Sequence, residues 1–232
     1  MQQKNDLKRG IIRWGARQLI FWLLLMLILM LIYGNFQWTA GWVFLIIVAG
    51  GQILNALILL PNHGDLLAER SKIGEGTSKR DIFLAFMMAY NSWFIGSFCA
   101  VDARNGWSPQ IPLWLWVAAI LLILAGSGFT QWAMYSNRFF SGVVRIQSDR
   151  GHQVINKGPY RIVRHPGYLG VVIFILMTPL VLKSIWGLLL ALIFIALVFV
   201  RTSWEDETLR EDLPGYIEYA KEVRYKLIPK IW

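Results

Sequence analysis

The chain has 232 residues, is 56% hydrophobic, holds 12 Trp and has a mean hydropathy of +0.48. Only 16% of its residues are charged, which excludes an ordinary soluble domain, while the apolar runs are continuous rather than alternating, which excludes a β-barrel. The lone Cys99 rules out an intrachain disulfide and any multi-cysteine metal site, and no metal site is expected.

A bilayer core of about 30 Å asks for about 20 apolar residues per helix. Runs that meet or approach this fall at roughly 17–33, 40–60, 82–101, 111–135, 166–182 and 184–203. The first follows a basic segment and carries Trp22 and Tyr33, so it reads as a retained helix rather than a cleaved signal. Asn55 and Asn91 fall inside predicted spans, where an amide bonds across helices. The stretch PNHGDLLAERSKIGEGTSKRD reads as an exposed connection. The last two runs are separated by Lys183 alone. They are either two short spans around a tight turn or a hairpin that does not fully cross. The expected class is all-α: a polytopic membrane protein of five to six transmembrane helices with a C-terminal helical hairpin. Residues 1–110 form an N-terminal set of membrane helices and residues 111–232 a second, chemistry-bearing region.

Charge gives the orientation. All of the 23 Lys and Arg except Arg104 and Lys183 lie in residues 1–17, 62–81, 137–165 or 201–232. With six crossings these four segments share one face, and the positive-inside rule makes that face cytoplasmic, both termini included. The basic excess therefore reads as topology and anionic-lipid contact, and nothing calls for nucleic acid. A bacterial inner membrane is expected in preference to the endoplasmic reticulum. Nothing in the sequence sets an oligomeric state.

The segment before the hairpin, SNRFFSGVVRIQSDRGHQVINKGPYRIVRHPGYLG, is modestly hydrophobic. VVRI and QVI read as short extended pieces, and Gly158–Pro159 signals a turn. Pro166 suits the first turn of a helix, which puts His165 at about the N-cap. After the hairpin, the last long helix should run to about Asp212 before LPG ends it. A short amphipathic helix from Pro214 to about Arg224 should then show Tyr216, Tyr219, Ala220 and Val223 on one face. Trp204, Tyr225 and Trp232 suit a membrane interface.

A hairpin returns the chain to the side it left. His152, Tyr160, Arg164, His165 and Tyr168 before it should therefore meet Arg201, Glu205 and Asp206 after it. Arg201 and Glu205 are spaced i,i+4, the spacing of an ion pair on one helix face.

Taken together, GPYRIVRHPGYLG, an apolar hairpin, RTSWEDETL and GYIEYAKEVRYKLIP resemble the isoprenylcysteine carboxyl methyltransferase family, which belongs with the phospholipid methyltransferases. The resemblance runs from Asn137 to Pro229. It departs at Arg145, where the family often has Gln, and at the Glu205–Asp206 pair, often Glu-Glu there. It implies S-adenosylmethionine held at the cytoplasmic membrane face by His152, Gln153, Val154, Ile155, Tyr160, His165, Pro166, Gly167, Tyr168 and Glu205. Arg201 and Glu205 would be the catalytic pair, with Arg201 facing the acceptor.

The chemistry of the residues agrees. Glu205 can accept from an ammonium or a ribose, and Tyr160 or Tyr168 can stack on adenine. The backbone N–H groups opening the helix at Pro166 favour a carboxylate. The implied acceptor is a lipophilic molecule from the bilayer, a prenylated cysteine carboxylate or a similar amphiphile. A carboxylate is already ionised at neutral pH and needs no base. An amine acceptor, as in phospholipid N-methylation, would need His165 or Glu205 to take a proton. A nicotinamide-dependent membrane reductase of the sterol type and a non-catalytic adaptor are the competing classes.

Overall fold

The computed structural model describes residues 2–70 and 78–232. Its described residues form helices and irregular connections, with no strand among them. In chain order the helices are α1 (Gln2–Tyr33), α2 (Thr39–Arg70), α3 (Lys79–Ala89), α4 (Asn91–Asn105), α5 (Leu113–Ser136), α6 (Pro166–Val181), α7 (Gly187–Asp212) and α8 (Tyr216–Glu222). This is the all-α membrane class expected. Four helices are long and apolar enough to cross a bilayer, and the α3–α4 pair makes a fifth if its two halves form one span. α6 is shorter. Its 16 residues rise about 24 Å at 1.5 Å each, short of the hydrocarbon core of about 30 Å.

The main core joins both halves of the chain. Leu25 and Leu29 of α1, Phe44 of α2, Ile95 and Cys99 of α4, Ile123 of α5, Ile175 of α6 and Val198 of α7 are all buried in it. Large apolar side chains outside the core, such as Leu31, Ile46, Leu57, Leu121 and Ile193, point outward. That outer surface suits lipid, because along the body of a helix the backbone groups pair within the helix.

α5 and α6 come closest. A Cβ placed on Gly170 would overlap Thr130 Oγ1 and the Gly126 carbonyl, and one on Gly126 would lie 2.8 Å from Ile173. Small residues at facing positions let the backbones meet, as helices in lipid require in the absence of a hydrophobic drive between them. The Thr130 hydroxyl sits in this seam, 3.2 Å from the Gly167 carbonyl.

At one end of the bundle, Asp102 at the end of α4 accepts from the Ser108 N–H at 2.8 Å and from the hydroxyls of Ser108 and Ser184. This ties the α4–α5 loop to the α6–α7 turn, where Lys183 takes a left-handed backbone (φ 60°). Trp107, Trp114 and Trp186 are exposed there, as an aromatic belt would place them. The other end carries the 137–165 segment, the end of α7 and α8.

Three boundaries differ from the sequence expectation. α1 begins at Gln2, and its basic first turns lie on the last turns of α2, where a Cβ on Gly10 would be 2.6 Å from Ala68 Cβ. α2 continues past Pro61 through a kink at His63 to Arg70, so residues 62–70 are not an exposed connection. Leu66 and Leu67 are buried with Trp14, Leu59 and Met134. The Lys72 part of that connection lies outside the described residues. The run at 82–101 is two helices bent by 45° at Tyr90. VVRI and QVI do not form strands, and a 3-10 turn at Ser148–Arg150 separates them. α7 ends at Asp212, as read. α8 buries Tyr216, Tyr219 and Ala220 against Leu213, with Val223 packed beside them.

Candidate active site

The 137–165 segment has only two short 3-10 turns, Ser148–Arg150 and Gly158–Arg161, so its shape is set largely by side chains. The Asn137 side chain accepts from the Phe139 N–H at 2.9 Å. Gln147, fully buried, donates to the Phe139 carbonyl at 2.7 Å and accepts from Arg150 at 2.5 Å. The His152 Nδ1 accepts from the Gln147 N–H at 3.3 Å, and the ring lies 4.6 Å from that of Phe139. Gly158, at φ +59°, permits the turn that presents Pro159 and Tyr160, and a Cβ there would strike Ser136.

Pro166 opens α6 with His165 as N-cap residue, but the His165 side chain does not cap the helix. It turns instead to Asp206, with Nε2 3.2 Å from Oδ1. Asp206 is almost fully buried and is the centre of a network. Arg164 meets it with a fork, Nε at 2.6 Å and Nη2 at 3.1 Å. The Tyr216 hydroxyl donates to it at 2.9 Å, and Arg210 Nε lies at 3.0 Å. The remaining Arg164 nitrogen donates to the carbonyls of Val223 and Arg224, and the N–H groups of Arg164 and His165 donate to Tyr225 and Lys226. The Tyr219 hydroxyl donates to the Tyr160 carbonyl at 2.7 Å. The RHP turn, the end of α7 and the C-terminal tail are thus locked together. Burial pushes the hydroxyls of Tyr160, Tyr216 and Tyr219 well above the usual tyrosine range, so all three stay neutral; those of Tyr216 and Tyr219 donate, and that of Tyr160 accepts from the Asn137 amide at 3.2 Å.

Glu205, one residue before the buried Asp206, points the other way. Its carboxylate accepts from the Tyr168 hydroxyl at 2.5 Å. The i,i+4 pair with Arg201 read from the sequence does not form. Arg201 reaches Asp81 of α3, Nε to Oδ1 3.2 Å, and donates to the Gly142 carbonyl at 2.8 Å. Asp81 also accepts from the Val144 N–H at 2.7 Å. A tertiary carboxylate displaced the local one, because Asp81 is buried beside Arg201 and an unanswered buried guanidinium is expensive.

These walls enclose a cavity of about 310 Å³. Of the residues expected at a cofactor, His152, Gln153, Val154, Ile155, Tyr160, His165, Gly167, Tyr168 and Glu205 all line it, as does Arg201. Gln153 sits at the rim, largely exposed. Pro166 does not line the cavity; it is buried in the first turn of α6, where its ring shapes the helix start. Sequence reading missed Asp81 and a whole second wall: Arg70 at the end of α2, Ala85 and Met88 of α3, Asn91 at the bend and Thr130 of α5. Asn91 bonds across the bend: its amide donates from α4 to the Met88 carbonyl of α3 at 2.5 Å. Asn55 bridges to the Met134 sulfur of α5 at 3.3 Å.

The cavity lining is both polar and apolar: it includes Glu205, His165 and residues 152–155 as well as Val171, Phe174, Met88 and Ala85. Such a space can hold a polar, partly cationic molecule against Glu205 and receive an apolar one from the membrane helices.

Comparison with known proteins agrees with the likeness read from the sequence. The phospholipid methyltransferase family profile matches residues 114–213. Protein-S-isoprenylcysteine O-methyltransferase B of Arabidopsis thaliana is 26% identical over 113 residues, 47% of this chain and 57% of that protein. A probable protein-S-isoprenylcysteine O-methyltransferase of Oryza sativa is 29% identical over 107 residues, 45% of this chain and 56% of that protein. The uncharacterised protein YpbQ of Bacillus subtilis is 34% identical over 99 residues, 42% of this chain and 57% of that protein. The chain spans a little over half the length of the curated relatives it matches.

Proposed function

We propose, from the membership of the C-terminal region in the phospholipid methyltransferase family and its likeness to isoprenylcysteine methyltransferases, that this integral membrane protein is an S-adenosylmethionine-dependent methyltransferase. Its acceptor is a lipophilic carboxylate, that of an S-isoprenylated cysteine or a similar amphiphile. One observation carries the reading: a single cavity is lined by the RHPGY turn, by Glu205 and by apolar faces of the membrane helices.

The residues fit the donor molecule. Glu205 is the carboxylate lining the cavity, and Tyr168 holds it in one orientation while leaving lone pairs for an ammonium or a ribose hydroxyl. The 152–155 backbone and the N–H groups opening α6 would meet the donor's other polar groups. Tyr160 and Tyr168 offer ring faces. Bound there, S-adenosylmethionine would supply an electrophilic methyl on a sulfonium.

The chain's own part is positioning, exclusion of water and charge. The Asp206 network fixes the RHP turn, so the groups that line the cavity need no rearrangement when ligands enter. Arg201, held by Asp81 and the Gly142 carbonyl, fixes the cationic character of the acceptor side. No proton has to move for a carboxylate acceptor, which agrees with a site whose tyrosines are kept neutral and whose His165 is occupied by Asp206. By the positive-inside rule the cavity end of the bundle faces the cytoplasm.

Transfer of a radiolabelled methyl group by the detergent-purified protein tests this. An S-farnesylcysteine acid should be labelled in a base-labile ester. A base-stable label on phosphatidylethanolamine instead would move the acceptor to a phospholipid amine, and label on neither would refute the methyltransferase reading.

A further inference from the structure

Arg70 lines the cavity with one guanidinium nitrogen enclosed and unanswered among the described residues. It ends α2. Its Nη1 is buried with no hydrogen-bond partner among the described residues, and the Phe140 ring lies 5.6 Å from its Cζ. The other cavity arginines each have a carboxylate beside them: Arg164 is forked onto Asp206, Arg145 pairs with Asp149, and Arg201 lies 3.2 Å from Asp81 and donates to the Gly142 carbonyl. Burial first and the nearby Arg201 second both disfavour the charge on Arg70. A second guanidinium brought into a closed space beside a first, without a carboxylate of its own, is a costly arrangement unless something anionic enters.

We propose that Arg70 is the acceptor-binding cation of this cavity, receiving the ligand's anionic group, a carboxylate or a phosphate, on the Arg201 side of Tyr168. The proposal rests on the methyltransferase reading of the same cavity and names a residue from α2, outside the region matched by the family profile. A planar guanidinium suits this task because it offers paired N–H donors to two oxygens of one anion. For a carboxylate acceptor, an oxygen lone pair forms the new O–CH₃ bond while the donor's S–CH₃ bond breaks and its electron pair stays on sulfur. The acceptor's negative charge and the donor's positive charge both vanish and no proton is exchanged. The neutral ester then has a weaker hold on Arg70, which favours product release.

The test is equilibrium binding to the full-length protein in detergent, with S-adenosylhomocysteine present. The probes are N-acetyl-S-farnesylcysteine against its neutral methylamide, and phosphatidic acid against neutral diacylglycerol. One acid should bind at least about tenfold more tightly than its neutral partner, as expected for a charged hydrogen-bonded contact. Arg70→Gln should abolish that preference, leave the neutral probe's affinity unchanged and leave S-adenosylhomocysteine affinity unchanged. Arg70→Lys should retain part of the preference. A preference in the first pair identifies a carboxylate, and in the second a headgroup phosphate. The proposal is overturned if neither pair shows a charge preference, if Arg70→Gln keeps it, or if Arg70→Gln loses S-adenosylhomocysteine instead. Failure of the methyltransferase reading is distinguishable: S-adenosylhomocysteine would not bind, while the Arg70-dependent preference persisted.

Discussion

Tyr168, in the first turn of α6, donates its hydroxyl to Glu205, far along α7, at 2.5 Å. The two residues face each other because the hairpin doubles back, and their contact sets the floor of the cavity. Tyr168→Phe should leave Glu205 free to rotate. It should weaken S-adenosylhomocysteine binding by about tenfold, the worth of one hydrogen bond to a charged group, with little change in melting temperature. Calorimetric titration checks this. Unchanged affinity would remove Tyr168 from the support of Glu205.

Asp206 should behave in the opposite way. Arg164, His165, Tyr216 and Arg210 all converge on it, and it is buried. Asp206→Ala would leave the buried Arg164 without its carboxylate, a loss of about 3–5 kcal/mol for a broken buried pair. The melting temperature of the purified protein should fall by many degrees, whereas Glu205→Ala should melt near wild type. Equal melting of the two variants would contradict the division of labour between these neighbours.

Arg201 and Asp81 should act as a unit. Asp81→Asn removes the charge that holds Arg201 and weakens the acceptor of the Val144 N–H. Misplacement of a positioning group by about 1 Å can lower turnover by about a hundredfold. Turnover should therefore fall sharply in Asp81→Asn and in Arg201→Ala, with S-adenosylhomocysteine affinity kept. In the double variant the losses should not add. Full additivity would show that the two residues act separately.

His152 gives a pH signature. Burial, then Arg150 and Arg145, lower its pKa to about 4 from the usual value near 6.5. The neutral ring accepts the Gln147 N–H through Nδ1, a bond that protonation breaks. The unfolded chain takes up the proton at higher pH than the folded one. His152 thus opposes folding progressively as pH falls from about 6.5 toward about 4, and has no such effect above that window. Melting temperature measured from pH 7 to pH 4.5 should fall less steeply in His152→Gln than in wild type. Parallel curves would contradict the shift.

The convergence of the RHPGY turn with Glu205 was legible because it needs only a hairpin, and the hairpin is written in two apolar runs split by Lys183. The face of α8 was legible from the spacing of Tyr216, Tyr219 and Ala220, which the structure buries together. The partner of Arg201 was not. The i,i+4 rule offered Glu205, and a lone Asp81 after a polar connection carries no periodic signal of its tertiary contact. Nor was the wall formed by Arg70 and α3, since helix ends beyond the apolar run look like loop in a hydropathy reading. The bend at Tyr90 was hidden for the converse reason: residues 82–101 stay apolar across it.

The central claim is that Glu205 and the RHPGY turn hold S-adenosylmethionine. Calorimetric titration of the detergent-purified protein with S-adenosylhomocysteine, with NADPH alongside, tests it most directly. The account predicts that S-adenosylhomocysteine binds the wild type, that Glu205→Ala abolishes that binding in a protein that still melts cooperatively, and that NADPH does not bind. Binding of NADPH alone, or S-adenosylhomocysteine affinity untouched by Glu205→Ala, would contradict it.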